Sequence, residues 1–347
     1  MVVVTPRTRI EEFLGPADQR FFSSGYRRVD YRFGEVSANV HDGSQATLST
    51  QASLRYPGNW SSKSGVALRP HLSTVDAIVL GVQMSELCLT RAFSLNQEQR
   101  RRMWVRSIRI KAGTAPAEQL DEVQIAARLT ETRGDQDGVM ASVVTTQIGT
   151  MRTRCEVLHS AAAAGPASAV TDPAGAARYA DPAELLGPPG ARYYGTGFSR
   201  GGQDMEDIVL DLPERAASAA VTVTPADAAD QGIEGAYQPG ITPVDCFVTC
   251  MQLAQVLLYE LDSVKRAHSN TLWMRSTAIS LGAPRRPAAE RLHLATSLRD
   301  VGLLMIKDVE WRTASVSARL GAISVTCALA HQLPGDGMPP AAPMPAR

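Results

Sequence analysis

"RPHLSTVDAIVLGVQ" (69–83) and "QPGITPVDCFVTCMQ" (238–252) are two versions of one sentence within a single chain. In each, a hydroxyl residue stands three positions before an aspartate, Ser73 before Asp76 and Thr242 before Asp245, and an apolar run follows. That spacing is a capping box, in which hydroxyl and carboxylate satisfy backbone donors that the first helical turn leaves open. Pro243 falls at the first helical position of the second copy, where its missing N–H costs nothing. The apolar residues that follow cover nearly the whole circumference, so the spacing predicts a helix enclosed by protein on all sides. Gln83 and Gln252 lie seven residues beyond the aspartates, on the same face and about 10 Å along the axis. An unpaired buried amide costs about 1–3 kcal/mol, so this polar stripe has to meet the other half or a ligand.

The repetition extends well beyond the helix. "FLGPADQRFFSSGYRR" (13–28) matches "LLGPPGARYYGTGFSR" (185–200) at an offset of 172 residues. Trp104 maps to Trp273 at 169, while Cys155 and His159 map to Cys327 and His331 at 172. A nearly constant offset over such a span means an internal duplication with small loop insertions. The halves are placed at 1–160 and 185–332. Between them, 161–184 is rich in Ala, Gly and Pro and reads as a linker, and the tail 333–347 reads as disordered. Each half orders its elements alike: extended segments, a loop, one long helix, then several strands, among them "MWVRSIRI" and "LLMIKDVEW". A lone wrapped helix amid antiparallel strands is the hotdog architecture. The expected fold is therefore α+β, a tandem double hotdog.

Bulk properties narrow the function. The 347 residues are 44% hydrophobic and 20% charged with zero formal net charge, a globular balance without the basic footprint of a nucleic-acid partner. No apolar run reaches the length of a membrane span, and no leader is legible, so a cytoplasmic location without membrane association is expected. The five cysteines are read as buried, reduced thiols; they form no CxxC, and neither a metal nor a cofactor is expected. There is no GxSxG elbow, no P-loop and no dinucleotide fingerprint, which disfavours a serine hydrolase, nucleotide chemistry and a nicotinamide enzyme.

"FLGPADQRFFSSGYRR", "YPGNWSSKSG" (56–65) and "RPHLSTVDAIVLGVQ" together resemble the avirulence D (AvrD) family, and the resemblance runs from about residue 8 to 332. It implies an enzyme of secondary metabolism. The family is associated with syringolide-type butenolide signals made from a β-ketoacyl thioester and a ketose such as xylulose. The implied partners are an acyl carrier protein or a CoA thioester and a small sugar.

Site residues are argued from the sequence itself. Asp76 and Asp245 are candidate catalytic carboxylates beside their role as caps. His71 has Gly240 as its repeat mate, so the fold does not demand an imidazole there. It is the candidate general base, because imidazole accepts a proton near neutral pH. The loop before it carries Trp60, Lys63 and Arg69, suited to a tunnel wall and to a phosphate, whereas the second copy is acidic there. Gln83, Gln252, Glu234 and Tyr237 complete the expected substrate contacts. Arg100–Arg102, with Lys265 and Arg266, form a turn or a docking patch for an acidic carrier. His159 and His331 are read as structural by symmetry. The expected reaction is acyl transfer from a β-ketoacyl thioester to a sugar hydroxyl, then ring closure and loss of water. A dehydratase or thioesterase, or a non-catalytic acyl or lactone sensor, are the alternatives.

Overall fold

The computed structural model describes residues 3–4, 8–41, 45–63, 66–136, 138–161, 175–227, 229–266, 269, 272–288, 291–306 and 308–334. Both capping boxes start a long helix. Thr74–Phe93 begins at Ser73, whose hydroxyl accepts from the Asp76 amide at 3.1 Å, while Asp76 accepts from the Ser73 amide at 2.7 Å. Pro243–Leu261 begins at Thr242, with the reciprocal pair at 3.2 and 2.9 Å. The first helix is buried without a break from Thr74 to Thr90, and the second from Pro243 to Ala254. The second is long and apolar enough to cross a membrane, but its apolar surface is consumed by the core. Gly81 lets the first helix sit against the strand Met151–Ser160: a Cβ there would lie 2.6 Å from the Thr153 hydroxyl oxygen.

Around these helices runs one 15-stranded antiparallel sheet. From its centre outward, the N-half supplies Trp104–Lys111, Met151–Ser160, Val139–Ile148, Val123–Gly134, Gln45–Arg55 and Val36–His41. The C-half mirrors that order with Leu272–Leu281, Ile323–Gln332, Val309–Leu320, Leu292–Ile306, Ala216–Thr224 and Gly202–Asp211. The two innermost strands join the halves edge to edge, with Ile108 opposite Ile279 and Lys111 opposite Ser276. Strict alternation of buried and exposed residues, clearest in Gln45–Arg55 and Val123–Gly134, gives each sheet one face for its helix. The fold is a double hotdog of α+β class.

The halves also exchange parts. Arg20 of the N-half donates to the Gln252 side-chain oxygen on the second helix, and Gln252 donates to the Phe22 carbonyl at 3.1 Å. Phe22 meets Phe247 edge-on at 5.9 Å. The repeat mate of Arg20, Arg192, is sent the other way and lies 3.9 Å from Glu86 on the first helix.

Some local expectations change. "LLMIKDVEW" is the tip of a hairpin between Leu292–Ile306 and Val309–Leu320, turned by Asp308 in a left-handed conformation. The segment read as a linker carries an edge strand, Ala176–Tyr179, paired with Val36–Asn39, and a short helix, Pro182–Leu186. Residues 162–174 of that segment and 335–347 of the tail lie outside the described residues.

Candidate active site

At the start of the first helix, Asp76 is 1% exposed, yet it accepts four hydrogen bonds. Two come from the Ser73 amide and hydroxyl, both at 2.7 Å. The others come from phenols: Tyr31 donates at 2.6 Å to one carboxylate oxygen, and Tyr56 donates to the other. Tyr31 belongs to the strand Asp30–Phe33, and Tyr56 follows Gln45–Arg55, so sheet pairing delivers both to the helix cap. Burial pushes the proton affinity of Asp76 up, and these four donors hold it back. Burial, then the Asp76 charge, push both tyrosines well above the usual phenol range, so each stays protonated and donating.

Tyr56 opens outward. It lines an open depression of about 550 Å³ with Leu54, Arg55, Arg69, Pro70, Glu118, Leu120 and Asp121. Arg69 pairs with Glu118 at 2.9 Å and keeps most of its side chain in solvent. Next to this lining, the His71 ring nitrogen lies 3.3 Å from the Arg69 carbonyl oxygen, and the ring sits edge-on to Trp60 at 5.7 Å. Trp60 is buried, donates to the Leu68 carbonyl at 2.7 Å, and packs on Tyr56 at 5.1 Å. Tyr56 therefore stands between the depression and Asp76, with Trp60 packed beside it and His71 against Trp60.

Asp245 is built differently. Thr242 supplies its amide at 2.9 Å and hydroxyl at 2.6 Å, and Gln203 donates at 2.6 Å. Gln203 holds the repeat position of Tyr31, and no tyrosine of the second copy matches Tyr56. Arg27 donates to Gln203 at 2.8 Å, which fixes that amide. Burial raises the Asp245 proton affinity too, opposed by Thr242, Gln203 and the charge of Arg27. The two carboxylate centres are neighbours through an aromatic relay: Tyr26 stacks on its repeat mate Phe198 at 6.5 Å, and Phe198 touches Tyr31 at 5.8 Å.

Other residues singled out from sequence lie elsewhere. The Lys63 ammonium reaches the far half and donates to the Ser269 carbonyl at 2.7 Å and hydroxyl at 2.9 Å. Glu234 is fully buried, paired with Arg286 at 2.7 Å and accepting from the Val105 amide at 3.1 Å. It fastens its loop to the central strand, away from the depression. Tyr237 donates to the Arg102 carbonyl at 3.0 Å. Gln252 is consumed by Arg20, Phe22 and Val248, while Gln83 is buried with no partner for its amide nitrogen among the described residues. Of the basic turn, Arg100 holds the Leu185 carbonyl, Arg101 that of Asp230 and Arg266 that of Gln19, so these arginines clamp the halves together. Tyr31 and Tyr56 escaped the sequence reading. The signal for Tyr56 was the same as for His71, a polar residue in one copy with no equivalent in the other, whereas Tyr31 is replaced by the polar Gln203.

The sequence pattern of the family described as Pseudomonas avirulence D protein (AvrD) matches residues 7–334. The chain belongs to the AvrD family. No curated protein matches the sequence. Among solved structures, this AvrD-family chain is similar to the tesB protein of Mycobacterium avium subspecies paratuberculosis, at 11% identity and TM-score 0.39, covering 83% of this chain and 93% of that one. It is similar to the acyl-CoA thioesterase II TesB2 of Mycobacterium marinum at 12% identity and TM-score 0.34, covering 87% and 97%. A third likeness is to the dehydratase domain of the polyketide PpsC from Mycobacterium tuberculosis, at 13% identity and TM-score 0.35, covering 86% and 97%. At these scores the likenesses say nothing about substrate.

Proposed function

We propose that this AvrD-family protein is an enzyme that moves the acyl group of a β-ketoacyl thioester onto a hydroxyl of a ketose sugar, giving a precursor of a butenolide. The observation that carries the reading is the Asp76–Tyr56 pair: a buried carboxylate of raised proton affinity joined by one phenol to an open depression that Arg55 and Arg69 line together with Glu118 and Asp121. Such a pair moves a proton without exposing the carboxylate. The sugar hydroxyl oxygen attacks the thioester carbonyl carbon. Its proton passes to the Tyr56 oxygen as the Tyr56 proton passes to Asp76. Collapse of the tetrahedral adduct expels the thiolate, which takes the proton back along the same path. The positive end of the first helix, at Thr74 and Val75, favours the developing oxyanion. Arg55 and Arg69 suit the anionic groups of a thioester carrier or a sugar phosphate.

His71, proposed from sequence as the base, is assigned instead to the rim, where its ring orients the acceptor sugar. This division of labour is measurable. Tyr56→Phe removes the relay and is expected to lower kcat about 10²–10⁴-fold, the usual weight of a positioned acid–base group. His71→Ala is expected chiefly to raise the KM for the sugar. Asp245→Asn, in the half that lacks the tyrosines, is expected to retain kcat within about threefold, an allowance for altered packing. Wild-type kcat in Tyr56→Phe would place the chemistry elsewhere.

A further inference from the structure

The duplication sets one hairpin at corresponding places in both halves, with opposite chemistry at its end. In the N-half the hairpin is Val123–Gly134 with Val139–Ile148, and in the C-half Leu292–Ile306 with Val309–Leu320. Both carry a bulge, after Leu129 in one and after Arg299 in the other. Both also run on past the strand beside them: pairing with Gln45–Arg55 stops at Arg128, and pairing with Ala216–Thr224 stops at Ser297. Beyond the bulge the N-half end is charged. Glu131, Arg133 and Asp135 pair there with Arg154, Glu156 and Arg106 at 2.8, 2.6 and 3.1 Å. The C-half end instead carries Val301, Leu303, Leu304, Met305 and Ile306. It is also longer by three residues, since Leu129 to Ser142 is a step of 13 and Leu298 to Ala314 a step of 16.

Among the described residues, the exposed large apolar side chains are Val66, Leu303, Leu304 and Met305, so three of the four are consecutive. Leu303 is 49%, Leu304 50% and Met305 66% exposed. Successive strand residues face opposite ways, so the C-half tip is apolar on both faces. Its outer backbone edge is open as well, because no described strand pairs with 303–306 on the side away from Val309–Leu320. An open, uncharged, apolar edge is a template for another strand, and folded proteins commonly guard such edges with charge. The N-half does so at the matching place. The hairpin itself therefore does not require an apolar end.

We propose that the C-half hairpin tip is a self-association surface, where the edge 303–306 pairs antiparallel with the same edge of a second copy. Pairing centred on Leu304 sets Leu303 of one copy opposite Met305 of the other on one face. On the other face Leu304 meets its own counterpart. All of these side chains are apolar, so the segment is complementary to itself, as a two-fold contact requires. A lipid surface suits the tip less well, because the exposed carboxylate of Asp308 at the turn would have to enter first. One short edge falls well short of the roughly 800 Å² per partner that a stable interface buries. The contact is therefore a weak dimer, governed by protein concentration. Asp300 and Asp308 bracket the segment, so like charges meet at its ends and salt favours the contact. The proposal makes no use of the Asp76 mouth and does not rest on the acyl-transfer reading.

The test is sedimentation velocity of the whole protein in moderate salt, from about 5 µM to about 500 µM. The wild type is expected to shift from monomer toward dimer across that range, with hydrogen exchange slowed at the amides of 303–306. Leu304→Lys and, separately, Met305→Lys charge the edge at exposed positions. Each is expected to fold normally and to stay monomeric throughout. Val66→Lys charges the remaining exposed apolar side chain and is expected to dimerise as the wild type does. A wild type that is monomeric at every concentration would overturn the proposal, as would a dimer that survives both edge variants. Loss of association in Val66→Lys to the same degree would also overturn it, by showing general stickiness in place of a pairing edge. A monomer that co-sediments with phosphatidylcholine vesicles would assign the tip to lipid and end the proposal too.

Discussion

At the scale of single residues, the repeat is the most useful instrument, because each position carries its own control. His71 against Gly240 was legible in the sequence, as were both capping pairs and the burial of Asp76 and Asp245. Tyr31 and Tyr56 were not, since they reach Asp76 only after Asp30–Phe33 pairs with Gln45–Arg55. The different surroundings of His331 were not legible either. Symmetry with His159 made the two rings look alike, and the replacement of Ser142, the partner of His159, by Ala314 on the neighbouring strand is invisible without the sheet. The structure attaches a pH signature to that difference. Burial and the Lys63 charge bring His331 down to about 4, below the 6.5 of a free imidazole. Between those values the unfolded chain binds the extra proton, so this residue contributes stability that is lost as pH falls from 6.5 toward 4. Asp76 and Asp245, whose proton affinities are raised, act in the opposite direction, so the comparison must be with a variant. Urea midpoints from pH 7 to 4 are expected to fall more steeply for the wild type than for His331→Leu. Parallel curves would show that the ring titrates normally.

At the scale of elements, the two helices were predictable because every local signal agreed: cap, apolar circumference and length. The sequence was least informative where one element approaches another. Gly81 looks unremarkable in an apolar run, and its repeat mate is Cys250. Its role appears only with Thr153 set 2.6 Å from where a Cβ would be, so the helix lies closer to its sheet than any side chain would permit. Gly81→Ala improves helix propensity by about 1 kcal/mol. Overpacking a filled core costs about 1–3 kcal/mol. The steric cost is expected to win, because the facing Thr153 is itself fully buried and cannot swing away. Chemical denaturation should show net destabilisation; a gain in stability would mean that helix and strand can separate freely. The hairpin tip near Asp308 and the edge strand Ala176–Tyr179 were missed for a different reason. Both lie at margins of the sheet: the hairpin end of Leu292–Ile306 is exposed on both faces, and Ala176–Tyr179 is too short for alternation to show.

At the scale of the whole molecule, the duplication was plain from sequence, but the degree to which the halves depend on each other was not. The central strands pair across the joint, Arg20 completes the polar contacts of the second helix, and Lys63 ties its loop to Ser269, beyond the end of that helix. A chain so interlocked is expected to unfold as one unit. Trp60 and Trp104 report on the first half, and Trp273 and Trp311 on the second. Variants retaining tryptophan in one half only should give superimposable denaturation curves. Two separated transitions would show that each hotdog holds its own core.

The same asymmetry supports the proposed function. One half carries the Tyr31–Asp76–Tyr56 cluster and the depression beside it, and in the other Asp245 has its cap and Gln203 in place of the phenols. The central claim is that this single mouth transfers an acyl group to a sugar. It is tested most directly by mass spectrometry of the products from purified protein, a β-ketoacyl thioester and a ketose such as xylulose. The account predicts free thiol and an acylated or cyclised sugar in equal amounts, both dependent on the ketose and both abolished in Asp76→Asn. Thiol released at the same rate without sugar, with the free acid as its partner product, would contradict it.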